Sequence, residues 1–199
     1  MNKPSVPQPV SVTQPIRWML TATPQREGKE GITTLITGQR SYTHQRMHAL
    51  IVELALAGPV KVLIGGNRYD HYRINYALAA ATPFYEYILA HHIHLSRAET
   101  CYQMVELLTQ TQADPVPCLI LDLLTAFYDE GIPGREIDQL LFEAILQLRR
   151  LSQRATVTVS AHVEEKRSQF LKVIENAADQ VERPPAPSFQ PLRQSNLIG

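Results

Sequence analysis

The chain has 199 residues, 44% of them hydrophobic, with 19 Lys+Arg against 19 Asp+Glu and a formal net charge of +0. That length suits one α/β domain with a tail at each end, and the apolar content is enough for a core. The balanced charge excludes a generally basic nucleic-acid binder, so any DNA contact needs a local patch.

In chain order, residues 1–15 form a polar arm punctuated by proline. Residues 16–30 are ambiguous: Ile16, Trp18 and Leu20 alternate with Arg17 and Met19 as in a short strand, and 25–30 make a charged turn. A domain is expected over 16–183, regular from residue 31. Strand 31–37 leads into helix 41–57, whose Met47, Leu50, Ile51, Leu54 and Ala55 recur at helical spacing. Gly58-Pro59 stops that helix. Strand 60–64 ends in Gly65-Gly66, and helical stretches follow over 72–81 and from Pro83 to Ala90. A third strand, 92–96, precedes helix 100–109. The fourth strand, 117–122, is nearly all apolar, as a strand covered on both faces should be. A turn at 131–134 opens helix 135–153, then come a β-branched strand over 155–160 and a last helix over 164–178. The Pro-rich tail, 184–199, is expected to be disordered. Cys101 and Cys118 stand far apart in apolar surroundings and read as buried thiols of a reducing, cytoplasmic protein. No stretch of about 18 apolar residues occurs, so neither a membrane span nor a membrane partner is expected, and the N-terminus lacks the apolar centre of a secretory signal.

Alternating strands and helices imply a mostly parallel sheet with helices on both faces and right-handed crossovers. Ligands of such folds sit beyond the carboxyl ends of the strands. Those ends carry Gly38, Gly65-Gly66-Asn67, Arg97-Ala98-Glu99, Asp122 and Ser160-Ala161-His162.

The first of them, Gly38-Gln39-Arg40-Ser41-Tyr42-Thr43-His44-Gln45, lies where a strand meets a helix, the context of a G-x-x-x-x-G-K-[ST] phosphate loop. Together with Val62-Leu63-Ile64-Gly65-Gly66-Asn67, Arg97-Ala98-Glu99…Gln103…Leu107-Leu108 and Cys118-Leu119-Ile120-Leu121-Asp122, in that order, it resembles the RecA-type recombinase ATPases and their paralogs over about residues 31–162. The resemblance implies a RecA-like three-layer α/β sandwich, with Asn67 at the catalytic-glutamate position and Asp122 as the Walker B aspartate. A nucleotide site would then comprise Gly38, Arg40, Ser41, Thr43, His44, Gln45, Asn67 and Asp122, the last also holding Mg²⁺ if nucleotide binds.

Four departures argue against hydrolysis. Thr43 puts a Cβ where a glycine lets backbone N–H groups approach phosphate. His44 is shorter than the loop lysine. Gln45 replaces the metal-binding hydroxyl, leaving Asp122 without its usual partner. Asn67 cannot accept a proton as a glutamate does. What remains for an anion is the helix N-terminus at Ser41, with Arg40 nearby.

Plainer readings stand beside these. Asp122 could cap the next turn, Asn67 could be a turn residue, and Ser160-Ala161-His162 could be a strand end or hold a γ-phosphate sensor. His91, His92 and His94 lack a fourth ligand for structural zinc. Arg149, Arg150 and Arg154 suit the end of their own helix. Arg68 and Arg73, interleaved with Tyr69, His71 and Tyr72, are either a nucleic-acid contact or a solvated helix start. Asp129-Glu130 reads as an exposed loop. The leading expectation is a catalytically degenerate RecA-like protein, without cofactor. It would serve DNA recombination or repair as an accessory or scaffold factor, through contacts with itself or another RecA-like subunit and with a DNA contact left open. The alternatives are a divergent Mg²⁺-dependent ATPase that uses ATP, with Arg40 or His44 as the cation, and a single-stranded DNA binding module. Phe189, Leu192, Leu197 and Ile198 in the tail suit a short docking peptide.

Overall fold

The computed structural model describes residues 31–66, 69–128, 131–162 and 168–185. The arm and the segment up to residue 30, Asn67, Arg68, Asp129, Glu130, the expected helix start at 164–167 and the chain from 186 lie outside the described residues. The elements are β1 (Thr33–Thr37), α1 (Arg40–Ala57), β2 (Val60–Gly65), α2 (His71–Ala81), α3 (Tyr85–His91), β3 (Ile93–Ala98), α4 (Cys101–Gln110), β4 (Cys118–Leu121), a 3-10 turn (Leu123–Phe127), α5 (Gly134–Ser152), β5 (Val157–Ala161), α6 (Ser168–Ala177) and β6 (Gln180–Glu182).

Local chemistry sets most boundaries. Gly58 ends α1 by returning its N–H to the Leu54 carbonyl, 2.9 Å away. Thr100 and Gln103 form a reciprocal capping box at the start of α4, each satisfying a backbone N–H that the helix cannot. Asp70 caps α2 by accepting from the Arg73 N–H at 3.0 Å.

The six strands form one all-parallel sheet in the order β3-β2-β4-β5-β1-β6. Strand alternation divides the apolar side chains between two cores. Ile36, Val60, Val62, Ile64, Leu119 and Leu121 pack with α1, α2 and α3 on one face. Leu35, Leu63, Cys118, Ile120, Val157 and Val159 pack with α4, α5 and α6 on the other. The architecture is a RecA-like three-layer α/β sandwich. Both cysteines are buried free thiols, and burial pushes the Cys118 thiol up to about 12. Among the described residues no helix is long and apolar enough to cross a membrane.

Strand β6 is absent from the sequence-based reading. It is three residues long and carries no apolar run, so pairing with β1 alone makes it a strand. Asp179 prepares that pairing: its carboxylate accepts from the Thr33 N–H at 2.6 Å and its own N–H donates to the Thr33 carbonyl at 2.9 Å. Glu182 then accepts from Tyr42 Oη at 2.9 Å and from Arg46 Nε at 2.7 Å, tying the last strand to the first turns of α1.

Two basic side chains act away from the sheet's carboxyl edge. Arg150 reaches across from α5 and donates to the carbonyls of Leu108, Thr109 and Thr111, closing the C-terminus of α4 rather than its own helix. Lys61, on β2 and 2% exposed, donates to Asp114 Oδ1 and to the Gln112 carbonyl, each at 2.7 Å. A buried ion pair stabilises little over an apolar pair, but losing one partner strands the other charge. Lys61→Met is therefore expected to lower stability by about 3 kcal/mol in urea unfolding, because it leaves the Asp114 carboxylate buried and unpaired.

Candidate functional site

The strand order decides which ends meet. β5 lies between β1 and β4, so the turn after β1, the end of β4 and the end of β5 converge on one edge of the sheet. From these segments come Arg40 and His44 on α1, Asp122 just past β4, and Ser160 and His162 at the end of β5.

Asp122 is the centre of the group. It is 1% exposed and is the one non-glycine with positive φ among the described residues, at φ 52°, ψ 45°. Aspartate tolerates this left-handed conformation better than most residues, yet it still costs free energy that the surroundings must offset. The surroundings hold it tightly. Its N–H donates to Ser160 Oγ at 2.9 Å, and its carbonyl accepts from the Thr125 N–H at 3.0 Å. A Cβ on Gly65 would lie 2.5 Å from that same carbonyl oxygen, so only glycine lets β2 pass this close. The Asp122 side chain makes no bond to the helical turn that follows it.

That side chain turns instead to histidine. His44 Nε2 lies 2.6 Å from Oδ2, and His162 Nδ1 lies 3.6 Å from Oδ1, an ion-pair distance too long for a hydrogen bond. The Arg40 guanidinium bonds His162 Nε2. A guanidinium can only donate, so Nε2 accepts and the ring proton sits on Nδ1, facing Asp122. The Tyr128 hydroxyl fixes the same residue by donating to the His162 carbonyl at 2.8 Å. The result is a linear polar series: Arg40, His162, Asp122, His44. Burial alone would raise the Asp122 carboxyl; the facing His162 and His44 rings outweigh it and hold the group well below the usual carboxylate range.

The remaining loop residues are placed as follows. Gly38 has φ 145°, a conformation open to glycine, and a Cβ there would meet Pro184 Cδ at 2.7 Å. Thr43 is fully buried and its hydroxyl donates to the Arg40 carbonyl at 3.0 Å. Ser41 and Gln45 are exposed on α1. Asp122 thus has a partner, His44, one position before the residue at which a phosphate loop carries its metal-binding hydroxyl. These residues do not fit magnesium triphosphate: an imidazole donor occupies the oxygen a metal would take, and the Arg40 guanidinium is engaged within the protein.

Beside this group lies an open cleft of about 550 Å³. His44 and His48 of α1 form one wall; Tyr69, His71, Tyr72 and Arg73 form the other. Burial and then the neighbouring His44 push the His48 imidazole below its ordinary value. Arg73 is exposed on α2, whereas its proposed companion Arg68 lies outside the described residues. His92, from the histidine cluster, bonds the Ala55 carbonyl through Nδ1 at 2.6 Å, and no group of three or more metal-ligating side chains occurs among the described residues. Sequence reasoning passed over His48 and Glu182 and gave Tyr42 no role. A histidine one turn after another on the same helix could have drawn attention to His48; nothing local marks Glu182.

No protein-family model matches this chain, and no curated protein matches it.

Two pH effects follow. Asp122 is more acidic folded than unfolded, so its contribution is complete above the unfolded value of about 3.9 and fades as pH falls toward the native one. Asp122→Asn should cost about 1–3 kcal/mol at pH 7, and its deficit against wild type should shrink below about pH 4 in denaturant titrations. His48 is less basic folded than unfolded, so wild-type stability declines as pH drops below about 6.5. His48→Leu should flatten that decline when thermal melts are compared across pH.

Proposed function

We propose that this chain is a RecA-like protein that has lost ATP turnover and acts as an accessory or scaffold factor in DNA recombination or repair, through contacts with itself or with an active RecA-like subunit. One observation supports the loss of turnover above all: the Asp122 carboxylate is already engaged by His44 and faced by His162, which Arg40 holds from behind. A triphosphate and its metal would have to break this set before binding. The loop also lacks the close-approach glycine, since Thr43 fills that position and is packed to zero exposure.

The scaffold does not depend on the lost chemistry. Both apolar cores are complete without nucleotide, and the sheet keeps all its strands parallel. A protein of this kind can present a RecA-like surface to a partner without a nucleotide cycle. The process itself, recombination or repair, rests on the sequence resemblance, because fold alone does not fix function.

The test has two parts. Millimolar ATP with Mg²⁺ should leave the melting temperature unchanged, whereas a ligand at a hundred times its Kd would add about 2.7 kcal/mol. Mixed with a RecA-type recombinase whose loop is intact, the chain should co-migrate with it and alter its strand-exchange rate. ATP turnover abolished by Asp122→Ala would overturn the first half; neither co-migration nor any change in exchange would overturn the second.

A further inference from the structure

We propose that the cleft beside His44 is the docking site for this chain's own Pro-rich segment, residues 184–193, which would cross the degenerate phosphate loop to reach it. The proposal goes beyond the function above and needs no nucleotide.

Three observations carry it. The first is where the segment starts. After β6 the chain arrives at the tip of α1, and Pro184 packs on Gly38, near Tyr42. Pro185 is the last residue described. From Arg40 to His44 the helix rises only about 6 Å, so the near wall of the cleft is close to the exit point.

The second is what the segment is. It reads Pro184-Pro185-Ala186-Pro187-Ser188-Phe189-Gln190-Pro191-Leu192-Arg193. Prolines at 184, 185, 187 and 191 lack the N–H that a helix or central strand requires. Ten residues can span at most roughly 33 Å of extended chain, so the length suffices to pass from Gly38 along α1 to the cleft.

The third is what the cleft offers. Tyr69 and Tyr72 line it, Tyr72 is 76% exposed, and Tyr76, one turn further along α2 and outside the cleft lining, is equally exposed. Exposed aromatic rings on one helix flank are the surface that proline-rich segments use: prolines sit between the rings, and tyrosine hydroxyls, Arg73 and the histidines supply donors for the free carbonyls. A covalent tether adds an effective concentration in the millimolar range, so a weak motif suffices.

Single-stranded nucleic acid is the rival occupant of an aromatic surface. The cleft favours it less, because among the described residues its lining holds the Asp70 carboxylate as well as Arg73, and the chain as a whole has no positive excess to draw phosphates.

Hydrogen–deuterium exchange tests this without nucleotide, so the result is independent of whether ATP binds. Full-length chain is compared with a chain ending at Pro185, which keeps every described residue. Amides of 69–76 should exchange about fivefold more slowly in the full-length chain, independently of protein concentration. Full-length Phe189→Ala/Pro187→Ala and full-length Tyr72→Ala/Tyr76→Ala should lose the protection while keeping the circular dichroism of wild type. Equal exchange in the two chains would overturn the proposal. So would protection that fades on dilution, which would put a second copy in the cleft, or slowing of 69–76 by a single-stranded oligonucleotide that is equal in the two chains.

Discussion

An ionised carboxylate buried at the edge of a sheet must be neutralised by something, because an unpaired charge in a protein interior is too costly to persist. Asp122 is such a group, and the organisation of the whole carboxyl edge follows from how its charge is met. In P-loop nucleotide hydrolases such a carboxylate is met by a metal ion that arrives with the ligand. Here Asp122 is met by the fold: His44 touches one oxygen, His162 faces the other, and Arg40 stands behind His162. The left-handed backbone at Asp122 is held by Ser160 on one side and Thr125 on the other, so the carboxylate cannot swing away from the imidazoles. The carboxylate thus has fixed partners within the protein.

That design requires α1 to stay in place, since it delivers both Arg40 and His44. Much of the anchoring comes from the far end of the sequence. Glu182 on β6 accepts from Tyr42 and Arg46, which lie in the first two turns of α1. Burial would raise the Glu182 carboxyl, but its bonds to Arg46 and Tyr42 outweigh burial and keep it on the acidic side. Pro184 then lies against Gly38. The loop that would admit phosphate in an active relative is thus bracketed by the last strand and its exit, while its interior is crossed by the histidine–aspartate set.

The two faces of the sheet divide the work. The face with α4, α5 and α6 holds the larger apolar core, and Arg150 locks two of its helices together by capping one from the other. The face with α1, α2 and α3 carries the cleft, with Tyr72 and Tyr76 exposed on α2. Exposed aromatic rings occur on the other face as well, Tyr102 on α4 and Phe142 on α5.

The sequence by itself determined the fold class and nearly every element. Apolar spacing in α1 and α5, the unbroken apolar run of β4, Gly58 and the Thr100–Gln103 cap are local signals, and each acts through residues within a turn or two of one another. The sequence also singled out Arg40, His44 and Asp122 by their positions at strand ends. Their pairing was beyond it. That His44 rather than residue 45 meets Asp122, that His162 relays Arg40 to the same carboxylate, that Lys61 is buried on Asp114, and that Gln180–Glu182 becomes a strand all depend on which segments the sheet order brings together. Those partners are 40 to 146 residues apart along the chain, a separation at which no periodicity or cap carries information and only the packed sheet, with β5 inserted between β1 and β4, decides who meets whom.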